Sequence, residues 1–300
     1  MAVQAQGDTL TLGRPGAVWR AGKALGTFAR RKPLGAMGAL LILLAVAIAL
    51  LAPVLAPYNP IEILYGKQFR SPGAEFLLGT DNYGRDVFSR LLYGARVSLY
   101  VGIASVLLGV TGGALLGLVS GFWAGSAFDT SLQRAVDSLM AFPTLIMALI
   151  ISVALGSSVN SVVLAISLAF GPDAQRVLRS ASLAVREAQY VEAARAVGCS
   201  TPRLLFVHIL PQCIPPYLII ATALLGQAII VESAISFVGA GPPPPTPTWG
   251  NMLSEAARFY AEKAPWLVVF PGLAISLSVY GFNLLGDAVR DVLDPRLRGR

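Results

Sequence analysis

At 300 residues, with 13% charged and 55% hydrophobic side chains and a mean hydropathy of +0.67, the chain carries about half the charge of an ordinary globular protein. It lacks the polar surface a soluble fold of this size must show to water, and its 20 prolines and 30 glycines are too few for a fibrous or disordered chain; the composition is that of an integral membrane protein. The net charge of +7 sits at the edges of apolar segments, where basic residues meet anionic headgroups, which argues against a nucleic-acid partner.

In chain order, residues 1–34 read as a basic tail without apolar periodicity. Gly16 to Ala24 departs from a phosphate-binding loop, with one residue too many between the glycines and Ala24 where a magnesium-binding hydroxyl belongs. A first transmembrane helix is expected over 35–56, too long for a cleaved signal. The polar loop 57–96 follows. In it Asp81, Arg85, Asp86 and Arg90 recur at four- and five-residue steps, so a short helix would pair them across one face. That helix is either a solvated amphipathic surface on the outer leaflet or a contact for a substrate-delivery protein.

A second span is expected over 97–121, with Gly102, Gly109, Gly112, Gly113 and Gly117 giving a face for close helix approach. The uncharged stretch that follows is too long for one crossing. The turn-forming run Gly156 to Asn160 divides it into spans at 136–155 and 160–181. Asp173, Arg176 and Arg179 fall in the second of these, as snorkelling interfacial residues or as the end of a short tilted span.

Residues 187–211 are expected to form a helix–turn–helix. Tyr190, Ala194 and Val197 give the first helix an apolar stripe, Gly198 suits the left-handed residue that ends it, and Thr201 with Pro202 suits the start of the second. Leu204, Leu205 and Val207 give that helix an apolar side and Pro211 closes it. The hairpin is either interfacial, lying on the membrane, or a rigid knob for a soluble partner. A fifth span is expected over 214–239, a sixth over 265–286 and a short tail over 290–300. Glu232 is the one acid well inside a span, so it should face the bundle interior, a partner subunit or water; pairing at a subunit interface and contact with a substrate both remain open. Pro242 to Pro245 and Pro247 read as a stiff extended strut, with Trp249 and Trp266 as headgroup anchors.

With both termini inside, 16 of the 23 lysines and arginines fall on the inner side, the cytoplasmic one by the positive-inside rule. Cys199 and Cys213 read as reduced bystanders and the single histidine, His208, as a polar cap beside Pro211. No arrangement of nucleophile, base or metal ligands is present in the sequence, so catalytic, cofactor and metal sites are all expected to be absent. An ion- or proton-coupled secondary transporter remains an alternative, although no inverted repeat is visible.

Glu192-Ala193-Ala194, then Gly198, then Leu210-Pro211 resembles the EAA loop of ABC-transporter permease subunits; His208 stands where the generic pattern has an apolar residue. Leu78 to Arg90 with Tyr93 to Leu99, and the series from Glu232 through Asn283-Leu284-Leu285-Gly286-Asp287 to Asp294-Pro295-Arg296, resemble the second permease subunit of dipeptide/oligopeptide/nickel importers. The resemblance covers roughly residues 28–298. It implies a six-helix, type I ABC importer permease fold, with a five-helix core over 97–289, in the plasma (inner) membrane. It further implies a homologous permease partner in a heterodimer, two cytoplasmic ABC ATPase subunits, an extracytoplasmic solute-binding protein and a peptide or related small solute as cargo. The ATPase-coupling residues would be Glu192, Ala193, Ala194, Gly198, His208, Leu210 and Pro211.

Overall fold

The computed structural model describes residues 32–293, and the tails expected at 1–34 and 290–300 lie largely outside them. The elements in order are α1 (Pro33–Leu55), α2 (Val87–Phe122), α3 (Ala127–Met140), α4 (Thr144–Leu155), α5 (Val159–Arg186), α6 (Gln189–Ala196), α7 (Thr201–Val238), α8 (Trp249–Phe259) and α9 (Trp266–Leu293). There is no strand among the described residues. Five of these helices, α1, α2, α5, α7 and α9, are long and apolar enough to cross a bilayer, and α3 with α4 forms a sixth segment bent by 93°.

That bend corrects the span expected at 136–155. Pro143 disfavours helical geometry at Phe142, and its own ψ of 131° begins a new helix at Thr144. The 12 residues of α4 rise only about 18 Å, short of the roughly 30 Å of hydrocarbon. Helix α2 starts ten residues before the expected 97 because Asp86 caps it, its carboxylate accepting the Ser89 N–H at 2.7 Å. Helix α5 continues past 181 to Arg186, and α9 past 286 to Leu293.

The bundle is organised around the contact between α2 and α5. Gly109, Gly113, Gly117 and Gly121, one per turn of α2, lie against the backbone of Ser167, Gly171, Gln175 and Arg179; a methyl group on Gly113 would overlap the Gly171 carbonyl. With the backbones this close, hydroxyls bond across: Ser167 Oγ donates to Ser105 O at 3.1 Å and Ser182 Oγ to Leu118 O at 2.8 Å. Gly102 instead faces Ile229 of α7, and Gly112 meets nothing within 4 Å. A core of Val110, Val162, Ile166, Phe170 and Ile235 fills the space between α2, α5 and α7. Helix α1 lies outside this core, held to α9 where Gly38 crosses Gly281. Leu40, Leu43, Leu50 and Val54 are left exposed, a surface suited to hydrocarbon.

Both ends of the bundle are defined by contacts between connections. At one end Lys32 pairs with Asp291 at 2.7 Å and Arg186 donates to the Phe122 carbonyl at 3.0 Å; the 187–211 hairpin lies here. At the opposite end α8 caps the bundle. Its polar, amphipathic sequence gave no apolar run long enough to signal a span, and its start is fixed by Thr248 Oγ1 accepting the Asn251 N–H at 3.1 Å.

The expected proline strut is a turn, with a cis Pro244–Pro245 bond and the Thr246 N–H returning to the Pro243 carbonyl at 3.2 Å. Of the two tryptophans expected at headgroups, Trp249 is buried in the protein and Trp266 is half-buried. Trp249 is buried against Gly94 and its indole N–H donates to the Leu91 carbonyl at 3.1 Å, while that of Trp266 reaches the Thr80 carbonyl at 3.3 Å.

Candidate functional site

The hairpin is built as a wedge. Helix α6 ends in a Schellman motif: Gly198 takes φ +84°, its N–H donates to Arg195 O at 3.0 Å and the Cys199 N–H to Ala194 O at 3.1 Å. Ser200, rather than Thr201, occupies the cap of the next helix, with Pro202 in its first turn. Val191, Leu204, Leu205 and Ile209 are buried together with Leu118, Phe122 and Leu178 of the bundle. The docking stripe is therefore centred on Val191, not on Tyr190 and Val197, which remain 47% and 81% exposed. Val207 and Phe206 also point outward.

Pro211 does not close the second helix, contrary to the sequence reading. The chain widens into a π-helical turn over Leu204–Ile209, with the Leu210 N–H donating to Leu205 O five residues back. This absorbs the proline, and the helix runs on into α7 without a break. Of the expected coupling residues, Glu192, Ala193, Gly198 and Pro211 are exposed and Ala194, His208 and Leu210 half-buried. The His208 carbonyl accepts from the Tyr190 hydroxyl at 3.4 Å, closing the hairpin. Ala193, Ala196, Val197, Phe206 and Val207 are exposed on the hairpin, as are Glu192, Arg195 and Arg203.

Behind the hairpin lies a charge ladder. Arg179 of α5 holds Asp129 of α3 through two bonds of 2.8 Å, and Arg176 holds Asp137 at 2.6 Å. Asp129 also accepts from Ser120 Oγ at 2.6 Å and the Gly125 N–H at 3.0 Å. Arg176 and Arg179 of α5 are thus ion-paired to α3, on a helix that continues to Arg186. Their partners were legible only as two acids eight residues apart on an amphipathic segment that had been divided between a loop and a span.

At the opposite end, Asp81 and Arg85 lie in a turn, not on a helix. Arg85 Nε meets Asp81 at 2.5 Å and its Nη2 meets Glu255 of α8 at 3.2 Å; Arg90 lies 3.6 Å from Asp81 and donates to the Pro60 carbonyl at 3.0 Å. Asp81, Arg85, Asp86 and Arg90 are each at most 6% exposed, so they brace the 57–86 loop against α8 instead of forming a solvated face. Glu232 is wholly buried inside this subunit, facing neither the surface nor an open path. It accepts from Ser98, Ser236 and Ser233 hydroxyls at 3.1, 2.9 and 3.4 Å, tying α7 to α2. Glu232→Gln keeps an acceptor in the same place and is expected to leave subunit yield and uptake within about twofold, whereas Glu232→Leu strands three hydroxyls and costs about 2 kcal/mol. A thermal-stability series in detergent measures the difference; equal melting of the two variants would show the hydroxyl cluster to be idle.

The class of this polytopic α-helical bundle, whose exposed hairpin is continuous with one spanning helix and wedged against another, is shown by comparison with known proteins: it is a transport permease subunit. Residues 113–299, more than half the chain, match the family described as binding-protein-dependent transport system inner membrane component, and the chain belongs to that family. It is 42% identical to a putative peptide transport system permease protein of Brucella suis, over 87% of this chain and 88% of that one. It is 43% identical to the di/tripeptide transport system permease protein of Pseudomonas aeruginosa over 91% of both. It is 39% identical to the glutathione transport system permease protein of Pectobacterium atrosepticum over 89% of both. The fold matches a solved inward-facing structure of the MetNI methionine ABC transporter with TM-score 0.56 at 16% identity, over 68% of this chain and 96% of the other. The protein is a multi-pass permease subunit of an ABC importer with the type I permease fold.

Proposed function

We propose that this chain is one of two homologous permease subunits of a peptide importer, driven by two separate cytoplasmic ATPase subunits and supplied by an extracytoplasmic solute-binding protein. The hairpin end, both termini included, faces the cytoplasm, and residues 97–289 form the transport core. Peptide cargo is supported by the names of the three relatives, each a peptide or glutathione permease.

The observation that carries the reading is the unbroken passage of the hairpin into α7. A force on the exposed residues Val197 and Phe206 acts directly on one spanning helix. Through the buried Val191 cluster and the short Glu187–Ala188 link, it also acts on α5. The ion pairs from α5 then carry that displacement to α3, whose far end is the bend into α4. ATP binding does work here only through its different affinity for two ATPase arrangements, so the contact must be rigid to transmit it. Glu192→Lys and Gly198→Arg alter exposed positions and are expected to abolish uptake while the subunit still inserts. Uptake of a labelled dipeptide, read beside membrane level and co-purification of the ATPases, tests this; full uptake in both variants would sink the coupling role.

A further inference from the structure

At the end opposite the hairpin, two open hollows of about 520 and 410 Å³ share Pro60, Ile61 and Tyr93 and form one groove. Its near wall is the end of α1 and the turn after it. Its floor is the start of α2, and its far wall is the Pro245–Pro247 turn between α7 and α8. The walls are proline-rich, so they are preformed and lose little entropy on contact. Prolines also present no N–H, so an occupant has no edge to extend as a strand and must be held by its side chains.

The floor supplies the charge. Arg96 is exposed, stacks 5.9 Å over the Tyr93 ring and forms no ion pair with any described carboxylate. Its neighbours Arg85 and Arg90 are by contrast turned inward onto Asp81 and Glu255. The groove therefore offers one free guanidinium, an aromatic face and rigid apolar walls, a surface complementary to an extended chain carrying an acid next to an apolar residue.

We propose that this groove receives an extended acidic segment of the solute-binding protein, a carboxylate pairing with Arg96 and an apolar side chain lying between Tyr93 and the Pro245–Pro247 turn. The proposal rests on the importer reading and on this end facing outward; the family's description calls the transport system binding-protein-dependent. It moves the expected contact from Asp81, Arg85, Asp86 and Arg90, whose side chains are buried, to a residue of the adjoining Tyr93–Leu99 stretch.

The test uses the whole complex, this chain with its permease partner and ATPases, in liposomes, with the substrate-loaded binding protein added outside at increasing concentration. For Arg96→Glu the half-saturating concentration of binding protein should rise about ten-fold, with the maximal ATPase rate and the basal rate unchanged. Added salt should weaken the wild-type interaction and relieve the repulsion in the variant, so that the two titrations converge. Arg96→Lys should retain most of the wild-type response. An unchanged titration for Arg96→Glu in a complex with normal basal hydrolysis overturns the groove alone. So does a lowered maximum at unchanged half-saturation, which places Arg96 in the transport path instead. A wild-type chain that assembles with no ATPase overturns the importer reading itself.

Discussion

Gly113→Ala is expected to be among the most costly single methyl additions to this subunit. The position has no room: its new Cβ would overlap the Gly171 carbonyl, backbone that cannot rotate away. Relief requires α2 and α5 to separate, which also stretches the Ser167–Ser105 and Ser182–Leu118 bonds. Overpacking of this kind costs about 1–3 kcal/mol, and the upper end applies where backbone meets backbone. A leucine there should prevent the two helices from closing at all. Gly112 is the internal control. It lies on the same helix one residue earlier, a methyl group there meets nothing within 4 Å, and alanine is the better helix former by about 1 kcal/mol. The expected order of melting temperatures in detergent is Gly112→Ala at or above wild type, then Gly113→Ala, with Gly113→Leu absent from the membrane fraction. If Gly113→Ala melts with the wild type, the α2–α5 contact is not the close one described.

The second large effect is expected at Asp129. The residue is 3% exposed and its carboxylate accepts from Nε and Nη2 of Arg179 together with the Ser120 hydroxyl and the Gly125 N–H. Removing one member of a fully buried pair costs about 3–5 kcal/mol. Because the Arg179 side chain keeps 27% of its surface in solvent, a loss of about 2 kcal/mol is the better expectation for Asp129→Ala. The functional loss should be greater than the stability loss suggests, since this pair is the strongest tie from α5 to α3. Uptake should fall steeply while ATP hydrolysis by the assembled complex persists. Asp129→Ala with Arg179→Leu leaves no stranded charge and should recover stability relative to Asp129→Ala alone without recovering uptake. A double variant that restores both would reduce the pair to a structural brace.

The two sites differ in how visible they were. The glycine spacing of α2 announced a close helix contact, but Gly112 and Gly113 are equivalent in any sequence count, and only the partner helix distinguishes them. Asp129 was not visible at all. The segment from Phe128 to Met140 mixes charge with apolar residues at helical spacing, and a search for uncharged runs passes over such a helix. Its role appeared once α5 was seen to place Arg176 and Arg179 beside it. The same limit explains α8, whose polar sequence offered no span. The outer charges show the converse error, because their spacing suggested a helix face while burial was decided by the 57–86 loop folding under α8. The hairpin was legible because its signals are local: a left-handed glycine, a proline in a first helical turn and two short apolar stripes. What the local signals misjudged was Pro211, since whether a proline ends a helix depends on whether the backbone before it has room to widen.

By itself the sequence determined that this is a membrane protein with about six apolar segments, roughly where each of them lies, and that a structured hairpin joins the fourth segment to the fifth. Apolar run length against bilayer thickness and short-range turn chemistry suffice for those statements. The tertiary structure alone decided that the third segment is broken, that Glu232 is enclosed by serines, that α3 hangs on α5 through two aspartates, and that Arg96 is left free beside buried neighbours. Each of these depends on what a distant part of the chain supplies at a given point in space, and residue spacing along one helix carries no record of that.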